Sequence, residues 1–272
     1  MHSDFEIEDG VLLSYSGESR EVVIPDEVRE LSSTVFYERS DIVTVKTSGN
    51  SMLSKIDNNV FYNCSSLESA MLPGTVRSIG VSAFYNCTTL RDVTLPDRIT
   101  KINCGMFEGC RSLSSLNIPQ SVTQICDSAF TDCVSFTDIK LPEGLSEIGQ
   151  QAFEGCTGLI SVTIPDTVNI IAKQAFSDCT SLKYITFPLG LKSLGTRAFF
   201  GCTALGSVFL PDGIEQIGTS VFENCSSLEQ VHIPEIAGEN YIGSKDQFFG
   251  TPYKKKKNHL CRNCGAKLFW YP

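Results

Sequence analysis

The sequence predicts a repeat solenoid, built mainly of β-structure with short helical or 3₁₀ turns. Proline recurs every 23 residues from Pro73 to Pro234 without a slip. A column of cysteines keeps the same step from Cys64 to Cys225. Self-similarity at a fixed period of about 20–50 residues is typical of stacked coils, each of which buries its apolar face against the next.

Each repeat reads approximately I/L/F-P-x-x-V/L-x-x-I-G-x-x-A-F-x-x-C-x-x-L. The segment before the proline has period two, so Ile185 and Phe187 should point inward while Tyr184 and Thr186 face solvent. Proline ends this strand because it has no N–H to donate. We expect V-x-x-I-G to form a second short extended segment, and A-F-x-x-C to form a turn of α- or 3₁₀-helix with its Phe and Cys buried.

Four sections follow from the repeat boundaries. Residues 1–24 should form an N-terminal cap hairpin around the turn signal Asp9-Gly10, and residues 25–233 a solenoid of nine units of 23–25 residues. In the first unit Arg39 takes the cysteine position, as suits an end coil with one neighbour fewer. Residues 234–253 should form a C-terminal cap, and residues 254–272 a basic tail with a C-x-x-C motif.

The repeat unit resembles the BspA-like class of leucine-rich repeat proteins over residues 22 to about 252. This resemblance implies a curved, right-handed leucine-rich repeat superhelix that forms a single domain with capped ends and a strand-lined face. It also implies a role in protein or surface binding, often at bacterial cell surfaces.

Composition limits the classes of function. With 22 basic and 31 acidic residues the net charge is −9, which argues against general affinity for nucleic acid or anionic membrane. We find no apolar run long enough to span a membrane. The first ten residues have neither a basic nor an apolar region of the secretory type, so we expect a cytoplasmic location, with the cell surface or secretion by another route left open.

The cysteine column predicts packing rather than disulfide chemistry. Eight of the 12 cysteines share one repeat phase, and free cysteine behaves as a small buried hydrophobe. We therefore expect a ladder of buried, reduced thiols. Cys104 and Cys126 lie outside this column on neighbouring coils, where they form either a thiol pair or disulfide, or two unrelated substitutions.

The outward strand positions are the candidate binding face. Aromatic residues gather there in the C-terminal half as Tyr184, Phe209 and His232, and Asp138 and Lys140 carry charge on the same columns. Exposed aromatics on a solenoid face resemble interface hot spots, although scattered exposed apolar residues are normal. We predict a protein partner, or a surface glycan, and no small-molecule substrate.

The tail offers a different function. Cys261-x-x-Cys264-Gly265 has the form of a zinc knuckle, with His259 two residues before the first cysteine. Structural zinc takes four ligands, so two tails would complete a site in a homodimer. A redox role and a functionless tail are the other interpretations. The preceding run Lys254–Lys257 is either a solvated linker or a contact for nucleic acid or acidic partners.

Catalysis has little support in the sequence. Two of the three histidines lie in the terminal segments, and no nucleophile elbow, phosphate-binding glycine loop or H-E-x-x-H motif occurs. The sequence therefore predicts a non-enzymatic binding or scaffold protein. The alternative is a zinc-dependent oligomerising or nucleic-acid-contacting module driven by the tail.

Overall fold

The computed structural model describes residues 4–234, 249–252, 259–260 and 267–268. The chain winds into a β-solenoid, and these described residues contain no helix. A coil typically contributes one strand before the repeat proline and a second strand in V-x-x-I-G. The predicted repeat solenoid is confirmed.

The strands are short because each spans only one side of a coil. The hairpin strands are β1 (Phe5–Glu8) and β2 (Val11–Tyr15). The strands before the proline positions are β3 (Glu21–Ile24), β5 (Thr44–Thr47), β7 (Ser69–Met71), β9 (Asp92–Thr94), β12 (Asp138–Ile139), β14 (Ser161–Thr163), β16 (Tyr184–Thr186), β18 (Ser207–Phe209) and β20 (Gln230–His232). Those after them are β4 (Glu30–Leu31), β6 (Lys55–Ile56), β8 (Ser78–Ile79), β10 (Lys101–Ile102), β11 (Gln124–Ile125), β13 (Glu147–Ile148), β15 (Ile170–Ile171), β17 (Ser193–Leu194) and β19 (Gln216–Ile217). The last two strands are β21 (His259–Leu260) and β22 (Lys267–Leu268).

Successive coils pair in parallel at a register of one repeat. Ser161 pairs with Tyr184 and Thr163 with Thr186, so equivalent side chains form straight columns along the solenoid. The strands before proline form three sheets, ordered β3-β5-β7-β9, β12-β14-β16 and β18-β20. The second set forms two sheets, of which the first, β1-β2-β4-β6-β8, begins with the N-terminal hairpin and the other runs from β10 to β19.

The strands after the proline divide into two sheets between β8 and β10, and the cause lies in the glycine column of I-G. A Cβ at Gly80 would lie 2.5 Å from the backbone nitrogen of Asn58, so neighbouring coils leave little room for a side chain there. Asn103 occupies this column one coil later, and its Nδ2 donates to the carbonyl of Ile79 at 2.6 Å. The equivalent carbonyl of Ile102 instead accepts the backbone N–H of Cys126. We attribute the loss of pairing between β8 and β10 to the Asn103 side chain, which occupies that acceptor.

The A-F-x-x-C segment is a series of tight turns, and the helical turn predicted for it is wrong. Ser82 and Asn86 adopt left-handed backbone conformations, with φ of 52° and 55°. Between them, Tyr85 N–H bonds back to Ser82 O at 3.2 Å, whereas Phe84 N–H bonds to Met106 O of the next coil at 2.9 Å. Left-handed residues four positions apart interrupt a helix, and the freed N–H groups connect the coils.

The left-handed turns explain a column that precedes the cysteines. Glycine, asparagine and aspartate tolerate positive φ at the lowest cost. Positive φ recurs in two columns, and the one directly before the cysteines contains only these three types from the second unit onward: Asn63, Asn86, Gly109, Asp132, Gly155, Asp178, Gly201, Asn224 and Gly250. The recurring Asn-Cys-Ser/Thr triplets of the sequence therefore follow from backbone geometry.

The core is a ladder of phenylalanine rings. One ring per coil is fully buried, and successive rings stack with centroids 5.0–5.7 Å apart. The ladder consists of Phe36, Phe61, Phe84, Phe107, Phe130, Phe153, Phe176, Phe199 and Phe222. Because each inner ring packs on two others, the ladder ties every coil to both of its neighbours.

The cysteine ladder runs beside it, and its thiols are free and buried, as predicted. Each donates its S–H to the carbonyl of the ladder phenylalanine one coil earlier, as Cys156 does to Phe130 O at 3.2 Å. Burial raises the pKa of the Cys156 thiol far above its ordinary value, with the hydrogen bond from the Cys133 backbone acting weakly in the other direction. The Cys156 thiol therefore stays protonated at neutral pH.

Replacing Cys156 by alanine should lower the free energy of unfolding by about 1–2 kcal/mol, because a buried sulfur and its hydrogen bond are lost. Urea denaturation followed by circular dichroism measures this change. Cys104→Ala is the matched control, since Cys104 is exposed; its effect should stay within about 0.5 kcal/mol. An equal loss in both variants would contradict a packing role for the ladder.

The N-terminal hairpin closes the first coil. Strands β1 and β2 pair antiparallel around Asp9 and Gly10, and Tyr15 sets its ring edge against Phe36 at 5.7 Å. Arg39, at the cysteine position, donates to the carbonyls of Tyr15 at 2.9 Å and Gly17 at 2.7 Å. The arginine thus connects the hairpin to the first coil where no preceding repeat supplies a phenylalanine carbonyl.

Candidate binding face

Five residues predicted for binding lie on one face of the solenoid, over five successive coils. Asp138 is in β12 and Lys140 follows that strand; Tyr184, Phe209 and His232 lie in β16, β18 and β20. Register places Asp138 and Tyr184 in one column, through Ser161, and sets Phe209 beside His232. We call these five residues the strand-face patch.

The two large aromatic side chains of this patch project into solvent. Tyr184 is 68% exposed and Phe209 is 61% exposed, whereas the neighbouring Val208 points inward and is buried. His232 is half-buried, and its Nε2 lies 3.9 Å from a carboxylate oxygen of Asp212. Alternation along the strands therefore turns the rings away from the core.

The sheet is interrupted inside the patch. Strands β16 and β18 lie on consecutive coils but are not hydrogen-bonded to each other in the described chain. Phe187 occupies a position before proline that other coils fill with Leu or Ile. It is half-buried and sets its edge against Phe199, with ring centroids 5.6 Å apart. We attribute the gap between these strands to the larger ring.

A groove of about 560 Å³ opens at one end of the patch. Asp138 and Lys140 form part of its wall, and the following coil supplies hydroxyl and carboxylate groups. The polar lining residues are Asp138, Lys140, Glu143, Ser161, Thr163 and Asp166. The groove gives the patch a polar, wettable margin beside the aromatic rings.

Leu189 is a further exposed apolar residue on a coil of the strand-face patch, and it was not among the binding residues predicted from the sequence. It follows the repeat proline and is 85% exposed. The same column carries Asp97, Glu143, Asp166 and Asp212 in other coils. The column is acidic in most coils, with Gly74 and Gln120 as further exceptions, so its one large apolar residue was the signal that could have identified Leu189.

The predicted zinc ligands Cys261 and Cys264 lie outside the described residues. The structure does describe two short strands that flank them in the sequence: His259 pairs with Leu268 and Leu260 with Lys267, antiparallel. In the described parts of the chain, no three His, Cys, Asp or Glu side chains gather as a metal site. Those parts also contain no helix that is long and apolar enough to cross a membrane.

Comparison with known proteins gives a family match and several structural likenesses. The family of the BspA type leucine rich repeat region matches in six copies, over residues 7–137 and 123–249. The structure of the pneumococcal vaccine antigen PcpA is similar, with 20% identity and a TM-score of 0.58 over 85% of this chain and 68% of that one. A leucine rich cell surface protein from Faecalibacterium prausnitzii is 22% identical, with a TM-score of 0.50 over 91% of both chains. The Treponema pallidum leucine rich repeat protein is 29% identical, with a TM-score of 0.49 over 83% of this chain and 88% of that one.

A search of curated proteins found no significant match. The likenesses to the pneumococcal and Faecalibacterium proteins, both below 25% identity, show the fold alone.

Proposed function

The chain belongs to the BspA-type leucine-rich repeat family, and we propose that it is a non-enzymatic binding protein that recognises a protein partner through its strand-face patch. The observation that carries this proposal is the exposure of Tyr184 and Phe209, at 68% and 61%, on a regular strand surface. Membership in a family of repeat proteins supports a scaffold role rather than catalysis.

A protein partner suits the chemistry of the patch. Aromatic side chains supply large contact areas and are enriched among the residues that dominate interface energies. Leu189 adds exposed apolar surface, and the groove beside Asp138 supplies polar groups for a rim. A surface glycan would use the same rings for stacking, and the experiment below distinguishes the two ligand classes.

Substituting Asp for Tyr184, Phe209 and His232 together should weaken binding of the partner at least tenfold, because three contact groups are replaced by carboxylates. The wild-type chain is tested against fractionated cell proteins and a glycan array. A retained protein is purified, and its Kd is measured by titration calorimetry with wild type and variant.

The matched control carries Ile170→Asp in β15 and Gln216→Asp in β19, away from the strand-face patch, where both side chains are also exposed. It should bind like the wild type. Equal affinity of the face variant would remove the patch from consideration, and retention on the array alone would make the ligand a glycan.

The alternative function is zinc-dependent assembly through the tail, and the antiparallel pairing of β21 with β22, which flank the C-x-x-C motif in the sequence, favours it. Two tails would supply four thiolates to one zinc ion. Elemental analysis with light scattering should then give about half a zinc per chain in a dimer, and deletion of residues 254–272 should give a monomer. A metal-free monomer of the full chain would reject this function. The cytoplasmic location and the four-part division of the chain stay predictions.

A further inference from the structure

Cys104 and Cys126 stand apart from the cysteine ladder. Cys104 is exposed and Cys126 is half-buried, whereas the other described cysteines are buried. The ladder thiols each donate to a backbone carbonyl inside the core, as Cys110 does to Phe84 O and Cys133 to Phe107 O. In the part of the chain that the structure describes, these two thiols are therefore the ones that a reagent in solution reaches.

The glycine column shows where the Cys126 side chain points. A Cβ at Gly149 would lie 2.7 Å from the carbonyl carbon of Cys126 and 2.8 Å from the nitrogen of Asp127, its counterparts one coil earlier. Cys126 occupies the same column as Gly149. Its own Cβ accordingly faces the junction of Asn103 and Cys104 on the preceding coil.

Register supports a contact between the two thiols. Ile102 pairs with Ile125, so Asn103 lies opposite Cys126 and Cys104 lies one residue further along. With strands about 4.8 Å apart and a rise of about 3.3 Å per residue, the Cα atoms of Cys104 and Cys126 are about 6 Å apart. This separation falls inside the range of about 4.4–6.8 Å that a disulfide requires.

The environment of Cys126 agrees with this placement. Burial raises the pKa of its thiol to about 11, with further contributions from the charge of Cys104 and from a hydrogen bond between the two thiols, while Lys101 acts in the opposite direction.

We infer that Cys104 and Cys126 form a dithiol modification site that closes into a disulfide with a low-molecular-weight disulfide such as oxidised glutathione. The Cys104 thiolate attacks one sulfur of the reagent, the reagent S–S bond breaks, and one glutathione leaves as thiolate and takes a proton. Cys126 then loses its proton to solvent and attacks Cys104 Sγ, and the second glutathione leaves. The two protein thiols are oxidised, the reagent is reduced to two thiols, and two neighbouring coils become covalently joined.

The test uses the native full chain and oxidised glutathione. Thiols left free are blocked with one alkylating reagent before unfolding and with a second, heavier reagent after it, and the chain is digested with trypsin. Cleavage after Lys101, Arg111 and Lys140 puts Cys104 with Cys110 in one peptide and Cys126 with Cys133 in the next. We expect these peptides to be joined through Cys104 and Cys126, with Cys110 and Cys133 carrying the second label. Glutathione that remains on Cys104, or a link through Cys110 or Cys133, would overturn the inference.

Single variants separate the two steps. In Cys126→Ser, the reaction should stop with one glutathione on Cys104. In Cys104→Ser, oxidised glutathione should modify the remaining Cys126 at least tenfold more slowly than it modifies Cys104 in Cys126→Ser. The control Cys261→Ser/Cys264→Ser should form the link at the wild-type rate. Loss of the link in this control would show that the bond forms by exchange through the tail, and would reject direct closure.

Discussion

Replacing Phe153 by alanine should lower the free energy of unfolding by about 3–5 kcal/mol, the range for large aromatic residues removed from a packed core. The ring is fully buried and stacks on Phe130 at 5.2 Å and on Phe176 at 5.1 Å. Its loss therefore opens a cavity between three coils at once. Urea denaturation monitored by circular dichroism measures the change.

The matched control is Phe209→Ala, which removes the same ring from the surface. Phe209 is 61% exposed, so the free energy of unfolding should change by about 0.5 kcal/mol or less. Since coils of a solenoid contact only their neighbours, the Phe153→Ala transition should also broaden or divide into two steps. A loss for Phe153→Ala no greater than for Phe209→Ala would show that the phenylalanine ladder does not carry the stability assigned to it.

Replacing Arg39 by alanine should cost about 2–4 kcal/mol and release the N-terminal hairpin first. Its guanidinium donates to the carbonyls of Tyr15 and Gly17, to the Asp41 carboxylate at 2.7–2.8 Å, and lies over the Tyr15 ring. Hydrogen bonds from a charged donor contribute about 1.5–3 kcal/mol each, and partners left without a donor add a penalty where they stay shielded from water. Amide hydrogen exchange locates the loss, which should appear in β1 and β2.

Arg111→Ala is the matched control for Arg39→Ala. Arg111 forms an exposed ion pair with Asp132 at 3.9 Å, and such pairs contribute about 0–1 kcal/mol. If both arginine variants lost the same stability, the proposed anchoring role of Arg39 would be wrong.

Lowering the pH should remove the stability that the Arg39–Asp41 pair contributes. The hydrogen bond from Arg39 lowers the pKa of Asp41 in the folded chain. The folded pKa then lies below the unfolded value, so this pair stabilises the fold above about pH 4 and the contribution is lost as pH falls through the lower folded pKa. Arg39→Ala should remove this part of the acid dependence.

The repeat allowed much of the fold to be predicted, because the same 23-residue signal recurs along the chain. Inward positions such as Ile171 and Phe176 are buried, and Tyr184 and Phe209 face solvent as their strand phase indicates. The turns around A-F-x-x-C were predicted wrongly. Alternating local and inter-coil hydrogen bonds replace a helix there. Of the two columns of left-handed residues that permit them, the one before the cysteines is visible in the sequence as Asn, Asp and Gly, whereas the other includes Ser82, Gln151 and Arg197.

The coil, its register and its two ladders follow from the amino-acid sequence alone, since periodicity places equivalent side chains one above another once parallel stacking is assumed. The effects of departures from the repeat become visible only in the folded chain. Asn103 interrupts a sheet, Arg39 anchors the N-terminal hairpin, Leu189 exposes a large apolar side chain, and Cys126 lies against the junction of Asn103 and Cys104. Each effect depends on the space and the hydrogen-bonding groups that the adjacent coil offers, and those are fixed by packing between segments a full repeat apart in the chain.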